Sequence, residues 1–266
     1  MILVRFQGTC GNQLWQYAVA RIYAEATGHS LYKDMTIAIR DDLVHFVNAT
    51  NIDQGSGDNH GLINYANTPG GAIVDIKSDK LQQYLHGHYH HFKPLPADHD
   101  AYLLGFFQRF EYIAHHKEKI KSWFHVERDL PLALTDKDLV LSIRRGWNGY
   151  PLDQCPPSSF YEGIIDDANP ERIILCTDTF EDPYFEFLSK YKNVHFANYD
   201  MMTQFCLIKS AKRIVLSPST FCWWAAWLGD ATTIYYPWFG DLIPAEDSRN
   251  WLVSEPRYVI VTPKGR

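Results

Sequence analysis

From Leu139 onward the sequence alternates short runs of branched apolar residues with helical stretches, and this rhythm admits few folds. Leu139–Ile143, Arg172–Cys176, a short run near Val194, Arg213–Leu216 and Thr232–Tyr236 read as strands. Ser159–Ala168, Tyr184–Tyr191, Met201–Ala211 and Pro218–Leu228 read as helices between them. Strands this short and this apolar are buried on both faces, and a helix after each returns the chain to start the next in the same direction. The expected result is a parallel sheet with helices on both faces. Open sheets of this kind bind ligands just past the carboxyl ends of their strands.

Three of those ends carry polar chemistry. The first, LVLSIRRGWNGY over Leu139 to Tyr150, is interrupted only by Ser142 and delivers Arg144 and Arg145 straight from the strand. An arginine fork there suits a diphosphate; the plainer alternative is a pair of surface ion pairs. The second, IILCTD, ends in Asp178, which suits a guanine edge or a ribose hydroxyl, or else the N-cap of the next element. The third, LSPSTFCWWAAWLG, writes both boundaries of a helix, with Ser217 as cap, Pro218 in the first position and Gly229 as terminator. Apolar residues surround that helix, so it should be buried. Its amino end, with Ser217, Ser219 and Thr220, offers backbone N–H groups, hydroxyls and a positive dipole end to a phosphate; the alternative is an ordinary capped core helix.

The first half opens with a strand over Met1 to Phe6, a glycine-containing loop, and a helix carrying Leu14, Tyr17, Ala18 and Ile22 at helical spacing, closed by Gly28. The loop, GxxGNQ, is not the GxGxxG dinucleotide fingerprint. It reads either as a tight turn or as a cleft edge where Asn12 and Gln13 donate hydrogen bonds to a sugar. Residues 34–100 predict loops and short helices. The cluster His86, His88, His90 and His91 matches no recurrent zinc spacing, so no metal site is expected. Tyr102–Phe107 predicts a strand and Glu111–Phe124 a helix, and charged Glu127–Asp138, with Pro131, reads as a linker. The boundaries drawn are 1–135 for a first domain and 136–266 for a second.

A net charge of −6 gives no whole-chain basis for binding nucleic acid or an anionic membrane, so an anionic ligand must be held by local arginines. The five cysteines include no CxxC pair, as in a reducing compartment. The stretch before Arg5 is too short for a signal peptide, and no later run is long enough for a transmembrane segment. A cytoplasmic protein is expected.

Taken together, these stretches resemble the bacterial α-1,2-fucosyltransferases of glycosyltransferase family 11. QGTCGNQLWQYAVAR is similar to that family's GNQLFQYA start, LLGFFQRFEYI to its GYFQSEKYF segment, SIRRG to its HxRRGD motif, and LSPSTFCWWAAWLG to its NSSFSWWAAWL motif. The matches fall in order from Phe6 to about Trp238. The resemblance implies an α/β fold of the GT-B type, with two facing Rossmann-like domains built on parallel sheets, the acceptor held mainly by the first and GDP-fucose by the second. It also implies metal-independent, inverting transfer of L-fucose from GDP-β-L-fucose to the 2-hydroxyl of a terminal galactose, with no cofactor.

Carried over by position, Arg144 holds the β-phosphate with Arg145 in support. Ser219 and the neighbouring hydroxyls bind the same diphosphate, and Asp178 recognises guanine. Two positions depart from the motif: Ser142 replaces its histidine and Trp147 its aspartate. Ser142 shares a strand face with Arg144 and still reaches the nucleotide, as a shorter, uncharged contact. Trp147 cannot act as a base, so the acceptor proton is expected to pass to a phosphate oxygen or to Asp153, which follows the arginine loop, while Trp147 remains available to stack on the acceptor sugar. Other readings stand beside this one: a GT-B transferase for another nucleotide sugar, or a non-catalytic nucleotide- or glycan-binding homologue. A lipid-borne acceptor would bring the enzyme to a membrane surface.

Overall fold

The computed structural model of the chain describes residues 2–33, 46, 81–86, 100–124, 126–145, 155–238 and 253–263. They fall in two compact units, Met1–His125 and Val126–Arg266. Each is an α/β unit on a parallel sheet, as the GT-B type requires.

In the first unit, strand β1 (Ile2–Arg5) runs through a loop into helix α1 (Cys10–Thr27). Gly28 ends the helix in the left-handed conformation with φ 69°, and its N–H bonds back to the last turn. Strands β2 (Leu31–Lys33), β3 (Leu81–His86) and β4 (Asp100–Leu104) complete a sheet of order β2-β1-β4-β3, all parallel. β3 lies where loops and short helices were expected; pairing with β4, through one register shift, holds its polar Gln82–Gln83 in a strand that the sequence pattern alone does not mark. β4 stops at Gly105 rather than at Phe107, because Gly105 (φ 146°) and Phe107 (φ 52°) turn the backbone away from the strand. The expected helix from Glu111 forms only as helix α2 (Lys117–Trp123), preceded by two 3-10 turns. Arg109 supplies no side-chain cap to start a longer helix. Tyr17 of α1 packs edge-on against Trp123 at 6.2 Å, which fixes α2 against α1.

The second unit follows the alternation read in the sequence. Strand β5 (Asp138–Ile143) leads to helix α3 (Ser158–Ala168), β6 (Arg172–Thr177), a 3-10 helix over Pro183–Lys190 and β7 (Val194–Phe196). Then come α4 (Met201–Ser210), β8 (Arg213–Val215), α5 (Thr220–Leu228), β9 (Thr233–Pro237) and β10 (Tyr258–Val261). The strands are parallel in the order β10-β9-β8-β5-β6-β7. This is the doubly wound order of a Rossmann sheet: the chain moves outward from β5 to β7, then returns to β8 on the other side of β5. The switch point therefore lies between β5 and β8.

Helix α5 is the centre of this unit. Trp223, Trp224 and Trp227 are at most 1% exposed; Trp223 and Trp227 stack at 5.6 Å, and Trp224 meets both edge-on. Burying each ring contributes roughly 1.5–3 kcal/mol or more, which stabilises an all-apolar helix in this interior. Arg257, just before β10, donates to the carbonyls of Ala226, Trp227 and Gly229 and so satisfies the helix's carboxyl end. The amino end departs from expectation. Ser219, not Ser217, is the N-cap residue, and Pro218 lies outside the helix, because the Ser219 N–H closes a tight turn onto the Ser217 carbonyl at 2.7 Å.

Candidate functional site

The second unit gathers its polar residues at the carboxyl ends of β5, β6 and β8. Ile143 and Thr177 are the last register pair of β5 and β6, and one residue further on stand Arg144 and Asp178. The Arg144 Nε lies 3.4 Å from Asp178 Oδ2, and both side chains are 27% exposed. The other oxygen, Oδ1, accepts the Arg145 N–H at 2.7 Å. Asp178 does not cap the next element. That task falls to Asp182, which accepts the Tyr184 N–H at the start of the 3-10 helix.

Arg145 faces a different partner. Its Nε donates to Asp182 Oδ2 at 2.9 Å, and its guanidinium lies 4.2 Å above the Tyr184 ring. Burial disfavours the Asp182 carboxylate, but hydrogen bonds from Arg145 and from the Tyr184 N–H outweigh it and hold its pKa below the usual value.

On the other side of the switch point is the amino end of α5. Cys222, in its first turn, is wholly buried, and burial pushes its thiol pKa up; hydrogen bonding with Ser142 and Ser217 and the charge of Arg144 oppose the rise. Ser142 and Arg144, two residues apart at the end of β5, and Ser217, whose carbonyl accepts from the Cys222 thiol at 3.4 Å, stand at the carboxyl edges of the neighbouring strands β5 and β8. Ser142 and Ser217 are only 7% and 2% exposed, so they form a buried hydroxyl–thiol layer beneath the edge, while Ser219 and Thr220 are half-buried above it. The Ser219 side chain makes no capping hydrogen bond to the helix. An arginine at the water's edge beside the positive end of a buried helix can hold an anion with two or more oxygens.

In the first unit, the loops at the carboxyl ends of β1 and β4, neighbours in the sheet, carry amides. Gln13 Nε2 donates to the Gly8 carbonyl, and Gln108, just after β4, donates to Asn12 Oδ1 at 2.8 Å. Gly8 has φ +71°, and a Cβ there would lie 2.2 Å from Asn12 Nδ2, so only glycine fits. Gln13 and Gln108 are buried, and Asn12 is half-buried. Gln108 and Asp182 were not singled out from sequence. Gln108 sits in the quoted LLGFFQRFEYI segment, and the Asp-Pro start of the 3-10 helix is a capping signal for Asp182.

Trp147, Tyr150 and Asp153 lie outside the described residues, as do His88, His90 and His91. Among the described residues no group of three or more metal-ligating side chains is found, all five cysteines are unbridged, and no helix is long and apolar enough to cross a membrane.

The fold defines a chain of the GT-B α/β type, with Arg144 and Asp178 beside the switch point of its second unit. Among solved structures, a point variant of Arabidopsis thaliana FUT1 in complex with GDP is similar at a TM-score of 0.51 and 12% identity, over 88% of this chain and 70% of that one. The fucosyltransferase NodZ from Bradyrhizobium matches at a TM-score of 0.48 and 13% identity, over 88% and 94%. POFUT1 in complex with GDP-fucose matches at 0.43 and 12%, over 100% and 98%. No protein-family model matches the chain, and no curated protein matches its sequence.

Proposed function

We propose that this chain is an inverting fucosyltransferase that moves L-fucose from GDP-β-L-fucose to the 2-hydroxyl of a terminal galactose. The observation that carries the reading is the place of Arg144 just past the carboxyl end of β5, beside β8, the strand that leads into α5, at the switch point of a doubly wound sheet. The likeness to Arabidopsis FUT1 extends this to a protein solved with GDP, the nucleotide the reading requires. The motif resemblance supports fucose as the sugar and the 2-hydroxyl as its destination.

The reaction is a single displacement. The acceptor oxygen bonds to the anomeric carbon as the bond to the β-phosphate oxygen breaks, and GDP leaves with the electron pair. Negative charge grows on the diphosphate, and Arg144 with the N–H groups at the amino end of α5 stabilises it, a preorganised effect of several kcal/mol for a well-placed donor. No metal enters this scheme, because the arginine and the helix end carry the charge. The acceptor proton passes to a phosphate oxygen or to Asp153. Asp178 holds Arg144 at the edge and is the candidate for the guanosine end. Asn12 and Gln13 are assigned to the acceptor.

The test is GDP release from GDP-fucose by purified protein, with and without β-galactosides, in the presence of a chelator. Galactoside-stimulated release that survives chelation is expected. Release from GDP-mannose or a UDP-sugar instead would replace the donor, and GDP binding with no release from any donor would replace the enzyme reading with a binding protein. Normal turnover in Asp153→Asn would remove Asp153 from the scheme.

A further inference from the structure

The Arg144–Arg145 peptide is held at both of its polar ends. Its carbonyl accepts from Cys155 Sγ at 3.3 Å, and its N–H donates to Asp178 Oδ1 at 2.7 Å. The side chain on its far side, Arg145, is fixed as well. Asp182 takes two guanidinium nitrogens, at 2.9 and 3.5 Å, and the Tyr184 ring lies beneath at 4.2 Å. The Tyr184 hydroxyl then donates to the Pro156 carbonyl at 2.7 Å, tying down the residue after Cys155. One short segment, Asp178 to Tyr184, thus grips the chain on both sides of residues 146–154.

We propose that Asp182 and Tyr184 are positioning residues for the diphosphate site: by holding Arg145 they fix the orientation of the Arg144–Arg145 peptide and therefore the place where the Arg144 guanidinium stands. The proposal rests on the reading of Arg144 as the phosphate-binding arginine. Two features divide the labour between the neighbouring arginines. The Arg145 side chain is 13% exposed and has its own carboxylate and ring, whereas the Arg144 side chain is 27% exposed and meets Asp178 at only 3.4 Å. A diphosphate arriving at the edge can draw Arg144 from Asp178. Drawing Arg145 would leave the Asp182 carboxylate without its principal partner, which is costly in a partly buried place. A planar fork that is both bidentate and stacked is also one that lysine cannot reproduce.

The experiment is calorimetric titration of GDP into wild-type protein and folded variants, with thermal unfolding measured alongside. Asp182→Asn, which keeps the shape and removes the charge, is expected to weaken GDP binding about tenfold; Tm should fall as well, so binding is compared at a temperature where every variant is folded. Tyr184→Leu should weaken it at least as much, and Tyr184→Phe, which keeps the ring under Arg145, should restore affinity to within about threefold. Arg144→Ala is the control and should weaken GDP about a hundredfold. If Arg144→Ala is weak while folded Asp182→Asn binds like wild type, the positioning role is overturned and the site stands. If Tyr184→Phe is as weak as Tyr184→Leu, the stacked ring is not the cause and Tyr184 is removed from the proposal. If Arg144→Ala itself binds GDP normally, the site reading fails and takes this inference with it. Should Tyr184→Leu not fold, Asp182→Asn alone decides.

Discussion

Arg144 and Asp178 face each other one residue beyond the last paired positions of β5 and β6, with Nε 3.4 Å from Oδ2 and each side chain 27% exposed. At 3.4 Å, longer than a charge-assisted hydrogen bond, and with both side chains partly exposed, this ion pair contributes about 0–1 kcal/mol. The Asp178 carboxylate meanwhile stays anchored to the Arg145 N–H. Asp178 therefore keeps the arginine at the sheet edge.

Replacing Arg144 by alanine should lower turnover by about 10²–10³-fold, the usual loss when one preorganised donor to developing charge is removed. The fold should be unchanged, since the side chain belongs to the sheet edge and not to the core. Steady-state kinetics with circular dichroism checks both halves, and near-normal turnover would remove Arg144 from the site.

Gly229 is expected to tolerate no side chain. A Cβ there would lie 2.1 Å from the Lys209 carbonyl oxygen at the end of α4 and 3.2 Å from that of Ala225. Gly229→Ala must push α4 and α5 apart, at a cost of about 1–3 kcal/mol in urea unfolding. Because α5 also carries the site's helix end, GDP affinity should fall with stability.

Asp138 should make stability depend on pH. It is 4% exposed and accepts from Arg172 at 2.7 and 3.0 Å and from the Thr135 N–H. Burial alone would raise its pKa, but these donors outweigh it and hold the carboxyl below its ordinary 3.8. A depressed folded-state pKa means stability that is fully present above the unfolded value and is lost as pH falls through the folded one. Asp138→Asn should therefore cost about 1.5–3 kcal/mol at pH 7, with the gap to wild type closing as pH drops below about 4. A gap that stayed constant down to acid pH would show that charge is not its source.

Asn12, in the first turn of α1, and Gln108, after β4, stand 96 positions apart and share one hydrogen bond. A double-mutant cycle with Asn12→Ala and Gln108→Ala should give a coupling of about 0.5–3 kcal/mol in unfolding free energy. Additive losses would mean that the bond contributes nothing to joining α1 to the segment after β4.

The second unit was the more legible half. Short apolar runs ending in charged residues told of parallel strands and of which ends to watch, because the hydrophobic period and the cap residues are written locally. Arg144, Asp178 and the Trp223 helix were visible for that reason. The helix start was misplaced by two residues, since a Ser-Pro-Ser sequence suits a cap at either serine and the buried contact of Ser217 with Cys222 decides between them. In the first unit β3 was missed, because its stability comes from pairing with β4 and not from its own pattern.

By itself the sequence determined the class of fold, the strand ends that carry chemistry and the glycine at position 28 that closes α1, all consequences of period, burial and local backbone preference. Only the tertiary structure decided how neighbours divide their work. Adjacent in the chain, Arg144 and Arg145 are chemically the same, and nothing local separates them. They differ because the segment after β6 brings Asp182 and Tyr184 to one and leaves the other at the water's edge with Asp178. Which partner a charge meets is set by contacts between residues more than thirty positions apart, and those exist only once the sheet has formed.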